Sequence, residues 1–254
     1  MSERESIAKN LARVRERIEG AAARAGRRAG EITLVAVSKT HPAERIREAF
    51  QTGVRHFGEN RVQEWESKSA SLLDLAATWH LIGHLQSNKA IRAARLFHRI
   101  DSVDDEPLAE RLERAKQEFT ADNMESTGKE LVKGKPGVFG CSARLRVLIE
   151  VKLDPGPAKS GVREGDVARL VERVLPLAHL QLRGLMGVPP YFEDQQEVRP
   201  YFRRLRELRD NLRRQFGADS LPVLSMGMSH DFEVAIEEGA TEIRVGTALF
   251  GPRG

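Results

Sequence analysis

Lys39 is the side chain whose position in this sequence is most suggestive of covalent chemistry. It follows the apolar run Val35-Ala36-Val37 by two residues, within the segment VAVSKT. A lysine ammonium group that loses its surrounding water is easier to deprotonate, and the free amine is a nucleophile that forms a Schiff base with an aldehyde. On position alone, a lysine that simply extends into solvent at the end of a strand is the commoner interpretation, so the spacing marks Lys39 only as a candidate.

Two glycine-containing segments could bind an anion. They are Ser225-Met226-Gly227-Met228-Ser229 and Gly246-Thr247. Glycine lets the backbone approach an anion closely, and hydroxyl groups donate hydrogen bonds to phosphate oxygens. Ser229 also precedes a predicted helix, whose first amides attract negative charge. Glycines at such turns are common for steric reasons, so neither segment is decisive alone, but together they predict a phosphate site.

Three further polar positions lie on or near predicted strands. Asn60 follows the second strand and could contact a ligand from the rim. His80 and His84 flank the end of the third strand rather than one face of a helix, so a zinc pair is poorly supported and no metal is predicted. Arg244 lies between two apolar residues on the last strand, where a buried charge needs an acceptor.

A regular alternation of strands and helices positions these residues. Short apolar runs predict strands at Thr33–Val37, Arg55–Phe57, Trp79–Ile82, Phe97–Ile100, Arg146–Val151, Leu182–Met186, Pro222–Leu224 and Glu242–Val245. Amphipathic patterns predict the intervening helices at Ala43–Phe50, Arg61–Ser69, Asn88–Ala94, Pro107–Glu118, Glu164–Val174, Arg199–Phe216 and Asp231–Glu237. An additional N-terminal helix is predicted from the spacing of Ile7, Leu11, Val14 and Ile18.

This alternation predicts an α/β protein with a single (β/α)8 TIM-type barrel spanning residues 1–254. Strands joined through helices run parallel, and eight such units fit a chain of 254 residues. An open doubly wound sheet is the alternative, although the first strand lacks the glycine pattern of its dinucleotide-binding form. The chain has no room for a full helix after the last strand, so we expect the N-terminal helix to cover that side. Residues 120–144 are rich in glycine and lysine and predict a flexible loop insertion.

Composition excludes several classes of protein. Hydrophobic residues make up 40% of the chain and charged residues 31%, which is typical of a globular protein with a sizeable core. The single cysteine, Cys141, excludes an internal disulfide and a cysteine-cluster metal site. No apolar stretch is long enough to cross a membrane and no secretory signal is evident, so we expect a cytoplasmic protein without membrane partners. The arginines between Arg199 and Arg214 indicate a solvated helix face rather than a nucleic-acid surface.

Five segments carry a resemblance to a known family. The stretches VAVSKT, HFGENRVQE, WHLIGHLQSNK, LRGLMGV and LSMGMSHDFEVAIEEGATEIRVGTALFG resemble the YggS/PROSC family of pyridoxal 5'-phosphate (PLP) homeostasis proteins. That family is similar to the N-terminal barrel of alanine racemase, a PLP fold of type III. The resemblance extends from about Ile7 to Arg253. It departs from the family pattern at Lys152, where asparagine is frequent, and in the length of the loop at 120–144.

The resemblance implies a cofactor and its ligands. PLP would be held as a Schiff base on Lys39, with its phosphate at Ser225, Gly246 and Thr247 and its pyridine nitrogen beside Arg244. A cationic arginine disfavours protonation of that nitrogen, which makes the ring a weaker electron sink. The expected cofactor-binding set is Lys39, Asn60, His80, Ser225, Met226, Gly227, Ser229, Arg244, Gly246 and Thr247.

Two functions remain open from the sequence. The first is a monomeric protein of intracellular PLP homeostasis that stores the cofactor or delivers it to apo-PLP enzymes, with no strong catalytic activity. The second is a PLP-dependent amino-acid racemase or a related enzyme. Racemisation by two bases needs a group on each face of the substrate carbon, and only Lys39 is evident. Tyr191 and Tyr201 are the only tyrosines, and Tyr191 could reach the rim of the site. We expect no second domain after Gly254, and we expect an uncapped barrel to exchange its cofactor.

Overall fold

The computed structural model describes residues 6–125, 144–156 and 160–251. Within these ranges, parallel strands pair in chain order and close into a barrel. The strands are β1 Thr33–Val37, β2 His56–Glu59, β3 Thr78–Leu81, β4 Arg99–Val103, β5 Leu145–Val151, β6 Leu180–Gly187, β7 Val223–Met228 and β8 Glu242–Val245. The helices are α1 Ile7–Arg24, α2 Ala43–Gln51, α3 Val62–Ser69, α4 Ala90–Leu96, α5 Glu106–Glu125, α6 Val167–Val174, α7 Arg199–Phe216, α8 Phe232–Glu237 and α9 Thr247–Phe250. The predicted (β/α)8 architecture is confirmed.

The strands alternate between an apolar outer face and a more polar inner face. On β5, Val147, Ile149 and Val151 belong to the hydrophobic core between strands and helices. On β8, the outer positions Ile243 and Val245 belong to the same core. Successive side chains of a strand point to opposite faces, so the residues between these positions face the barrel interior.

Helix α1 covers the side of the barrel next to the short helix α9, as expected. Its apolar face is buried, and it packs against α8 and α9. The side-chain amide of Asn10 donates to the carbonyl of Leu249 at 3.0 Å, and Arg17 pairs with Glu233 at 2.8 Å. The Arg17 pair fixes α1 to α8, and the Asn10 contact fixes it to the segment that follows β8, which includes one of the two predicted anion-binding segments.

Most element boundaries differ from the sequence prediction by a few residues, and two of these differences affect predicted functional or loop segments. Strand β7 continues to Met228, so Ser225, Met226 and Gly227 lie on the strand rather than in the loop after it. Helix α5 continues to Glu125, so the predicted loop at 120–144 begins later than expected. Its residues 126–143 lie outside the described residues, and Arg144, at its end, donates to the carbonyl of Leu180 at 2.9 Å. No described helix combines the length and hydropathy that crossing a bilayer requires.

Candidate functional site

Lys39 lies in a turn held by a buried charged pair. Ser38 is fully buried after β1, and its hydroxyl donates to Glu59 Oε1 at 2.6 Å. Lys68 Nζ lies 2.8 Å from the same oxygen and donates to the Ser38 carbonyl at 3.1 Å. Burial raises the pKa of Glu59, and the charge of Lys68 counteracts this. Lys39 itself is half-buried at the carboxyl end of the barrel, so Ser38, Glu59 and Lys68 together fix the position of its backbone.

Arg244 points into the barrel interior at the level of β7. Its Nη1 donates to Ser225 Oγ at 2.7 Å, and its Nη2 donates to the Gly187 carbonyl at 3.0 Å. Burial lowers the pKa of Arg244, while the carboxylates of Glu242 and Asp101 counteract burial. The sequence analysis expected the buried charge of Arg244 to need an acceptor. Ser225, one of the predicted site residues, is such an acceptor.

The two predicted anion-binding segments meet at Ser229. The backbone amides of Gly246 and Ala248 both donate to Ser229 Oγ, at 3.1 and 3.3 Å. Two amides that converge on one oxygen atom form an arrangement that also suits a phosphate oxygen. Thr247 lies between them and is exposed. The structure therefore brings the ends of β7 and β8 together around a cluster of hydrogen-bond donors.

Gly227 allows the end of β7 to pack closely on α8. Its φ is +90°, and a Cβ atom there would lie 2.5 Å from Ala235 Cβ and 2.9 Å from Phe232 Cα. Any larger residue would push the segment that leads to Ser229 away from the barrel. Met226 is fully buried in the outer hydrophobic core, so its side chain faces the helices rather than the barrel interior.

Asn60 presents an unused acceptor near the end of β2. Its Oδ1 is buried, and no described group lies within hydrogen-bonding distance of it. Gly83 fixes the backbone here, because a Cβ atom at that position would lie 2.4 Å from the Asn60 carbonyl oxygen. Buried polar atoms in folded proteins are normally paired. The unpaired Oδ1 therefore indicates that Asn60 is available to a ligand.

His80 lies apart from the anion-binding segments, in a charged network at the amino end of the barrel. Its Nε2 lies 3.1 Å from His56 Nδ1, and its Nδ1 lies 3.5 Å from Asp101. Arg99 bonds Asp101 at 2.8 Å and Glu242 at 2.6 Å. Burial opposes the charge of Arg99, but the two carboxylates outweigh burial and raise its pKa.

A metal ion is not needed to balance this network. The ligand atoms of His80, Asp101 and Glu242 lie within 4.8 Å of one another, which is close enough for a shared ion. The guanidinium of Arg99 already supplies the positive charge that both carboxylates require. Glu242 is two residues before Arg244 on β8, and Asp101 also acts on the charge of Arg244, so the network reaches the site through both carboxylates.

Within the described residues, no hydrogen bond, ion pair or ring contact joins the two tyrosines or His84 to the residues of the candidate site. Tyr191 is 75% exposed, and its ring centroid lies 5.1 Å from that of His230. Tyr201 packs on Phe192 at 5.6 Å. His84 pairs with Asp104 at 3.3 Å, next to the end of β4.

Sequence reasoning missed two sets of residues. One is Glu59 with Lys68, although a glutamate at the end of a buried strand, directly before Asn60, was a usable signal. The other is the Arg99, Asp101 and Glu242 network. Arg99 and Asp101 are near neighbours, but Glu242 is 143 residues from Arg99, and no local pattern indicates that contact.

Comparisons with known proteins agree with this geometry. The family model described as alanine racemase, N-terminal domain, matches residues 5–254. The chain is 44% identical over 243 residues to the pyridoxal phosphate homeostasis protein of Aquifex aeolicus, covering 96% of each. It is 42% identical over 248 residues to that of Pseudomonas aeruginosa, covering 98% of this chain and 96% of the relative. Among solved structures, PipY of Synechococcus elongatus, solved with PLP bound, has a TM-score of 0.78 and 39% identity over 96% of this chain and 100% of PipY.

Proposed function

The chain belongs to the pyridoxal phosphate homeostasis family, and from this premise we propose that it binds PLP at the carboxyl end of its barrel, on Lys39, and holds the cofactor for delivery inside the cell. The relatives carry the homeostasis name, and PipY supplies the precedent for bound PLP. The cytoplasm is the compartment we propose, because the acceptors of such a protein would be intracellular PLP enzymes.

One observation carries the assignment of the site. Strands β7, β8 and β1 are neighbours, because β8 pairs with both of the others. Their carboxyl ends supply the Ser229 cluster, Arg244 and Lys39. A Cβ built on Gly246 would lie 3.5 Å from Val37 Cβ, so the β8 and β1 ends are in direct reach of one another. PLP carries an aldehyde, a pyridine nitrogen and a phosphate, and it needs a lysine, a residue beside the nitrogen and a group of hydrogen-bond donors in one place.

The residues present fit PLP. The converging amides of Gly246 and Ala248 can bind its phosphate, and the unpaired Oδ1 of Asn60 offers a further acceptor. When bound, PLP supplies an aldehyde for Schiff-base formation and an electron-withdrawing ring. Lys39 would hold it covalently, and the turn made by Ser38, Glu59 and Lys68 orients that lysine. Arg244 keeps a positive charge in the interior, which opposes protonation of a nearby nitrogen and favours retention of the cofactor over carbanion chemistry.

The test compares the visible absorption of wild type, Lys39→Ala and Lys9→Ala after incubation with PLP. Lys9 is exposed on α1 and controls for nonspecific labelling of surface lysines. We expect wild type and Lys9→Ala to acquire the same Schiff-base absorption, which borohydride then makes permanent. Lys39→Ala should bind PLP without forming that adduct. A wild type that stays colourless with excess PLP would remove the proposal.

Delivery needs a separate experiment. Loaded protein is mixed with an apo-PLP enzyme in the presence of a phosphatase that destroys free PLP, and recovery of the acceptor's activity is followed. We expect recovery that exceeds the recovery from an equal amount of free PLP. If the loaded protein never activates the acceptor, with or without phosphatase, then the protein binds PLP but does not deliver it.

A further inference from the structure

Glu150 is a carboxyl group of the barrel interior that no part of the assigned site uses. Its neighbours on β5, Ile149 and Val151, belong to the outer core, so Glu150 faces inward. Its Oε2 is buried, and no partner lies within hydrogen-bonding distance in the part of the chain that the structure describes. A buried carboxyl oxygen without a donor is uncommon in a folded protein.

Strand register places Glu150 at the level of the proposed cofactor site. Glu150 is the register partner of Met186 on β6, and Met186 is the partner of Ser225 on β7. Ser225 accepts the hydrogen bond from Arg244 Nη1 at 2.7 Å. The register therefore leads from Glu150 through Met186 to Ser225, the residue that accepts a hydrogen bond from the guanidinium.

Two charges act on Glu150 in addition to its burial. Burial raises its pKa to about 7, the nearby carboxylate of Asp104 adds to this, and Arg244 counteracts it. From β6 its register partner is the uncharged Met186, and the residue two before it on its own strand is the buried Leu148. Asp104 follows β4, is 15% exposed and pairs with His84. Glu150 thus changes charge in the physiological range, beside the cation of the site.

We propose that Glu150 couples proton binding to cofactor binding: its neutral carboxyl accommodates an anionic phosphorylated pyridine, and its carboxylate opposes one. This inference rests on the proposed function and adds a means of release to it. Binding equilibria are reciprocal, so if the anion prefers the neutral carboxyl, the protein takes up a proton when the anion binds. A rise in pH therefore weakens the binding of the anion. The covalent bond to Lys39 plays no part in this coupling.

The test uses pyridoxine 5'-phosphate, an alcohol that cannot form a Schiff base, so that the titration of Lys39 does not contribute. Its affinity is measured by calorimetry between about pH 5.5 and 8.5, in two buffers of different ionisation enthalpy to count protons. For wild type, we expect the affinity to fall by up to about tenfold for each pH unit above 7, beyond the fall seen for Glu150→Gln. Wild type should also take up a proton that Glu150→Gln does not.

Two further variants sharpen the result. Glu172→Gln removes the same charge from the exposed face of α6 and should retain the wild-type profile. Asp104→Asn removes the neighbouring negative charge, lowers the pKa of Glu150 and should move the loss of affinity to lower pH. Circular dichroism shows whether Glu150→Gln folds. If it does not fold, the shift expected for Asp104→Asn still tests the role of Glu150.

Superimposable profiles for wild type and Glu150→Gln, or no shift in Asp104→Asn, would overturn the inference and leave the proposed function intact. A wild type that binds neither PLP nor pyridoxine 5'-phosphate at any pH would overturn both. A wild type that binds PLP on Lys39 but shows no proton uptake with the alcohol overturns only the role of Glu150.

Discussion

At the amino end of the barrel interior the buried charges pair with one another, although His80 Nδ1 there has no hydrogen-bond partner in the part of the chain that the structure describes. At the carboxyl end Asn60 Oδ1, Glu59 Oε2 and Glu150 Oε2 have no hydrogen-bond partner among the described residues. Arg99 bonds both Asp101 and Glu242 at the amino end, and all three are less than a tenth exposed. A buried charge destabilises the fold when it loses its partner. A buried polar group without a partner also destabilises the fold unless a ligand forms a hydrogen bond with it. The difference agrees with the proposed function, in which the amino end is structural and the carboxyl end binds the cofactor.

The largest effect is expected at the structural end, from Arg99→Met. This change leaves Asp101 and Glu242 buried without a cation, and removing one partner of a buried ion pair costs about 3–5 kcal/mol. We expect urea unfolding to show a loss of that size.

The matched control is Arg92→Met, which breaks an exposed pair with Glu66 on the outside of the molecule. It should change the free energy of unfolding by less than about 1 kcal/mol. Equal losses in the two variants would show that the interior network is not structural.

Acidification should also act on the structural end. Burial lowers the pKa of His56 and of His98 from 6.5 to about 4, with the charge of His80 adding to the effect. Both histidines are neutral in the folded protein and become charged more easily when it unfolds. Their contribution to the free energy of unfolding is therefore complete above pH 6.5 and is lost as the pH falls from 6.5 towards 4. The loss is at most about 3 kcal/mol for each histidine, and it is reduced by solvent because both residues are partly exposed.

Urea unfolding at about pH 7 and pH 4.5 measures this loss, and His98→Gln should make it smaller. A wild-type stability that does not change between these two values contradicts the assignment of neutral buried histidines.

The smallest of the three effects is expected from Ser225→Ala, at the boundary between the two ends. The hydroxyl of Ser225 accepts a hydrogen bond from the buried guanidinium of Arg244. Losing a hydrogen bond to a buried charge costs about 2 kcal/mol. Ser67→Ala, an exposed hydroxyl on α3, serves as the control. If both variants unfold at the same urea concentration, Ser225 does not support Arg244.

The sequence predicted the elements more fully than the interactions inside them. The short apolar runs identified all eight strands, because parallel strands covered by helices are rich in buried apolar residues. Local position marked Lys39 and the glycine-containing segments only as candidates, and the resemblance to a known family implied that they bind PLP. The inward orientation of Ser225 was missed because serine and glycine in Ser225-Met226-Gly227 are typical of a loop, although the strand continues through them.

The contacts that give these residues their properties are long-range. Arg99 meets Glu242 across 143 residues, and Lys68 reaches Ser38 across 30. The first pair forms because the closed barrel directs β4 and β8 towards one interior, and the second forms because α3 packs beside the end of β1. The raised pKa of Glu150 has the same origin, because burial and Asp104 act on it only after folding.

The most direct test of the binding end is to map the covalent adduct. Wild-type protein is loaded with PLP, reduced with borohydride, digested and analysed by mass spectrometry. A single modified peptide that carries the cofactor on Lys39 is the predicted result. Modification of Lys68 or Lys89 in its place, or scattered labelling without preference for Lys39, would contradict the assignment of the carboxyl end of β1 as the site that holds PLP.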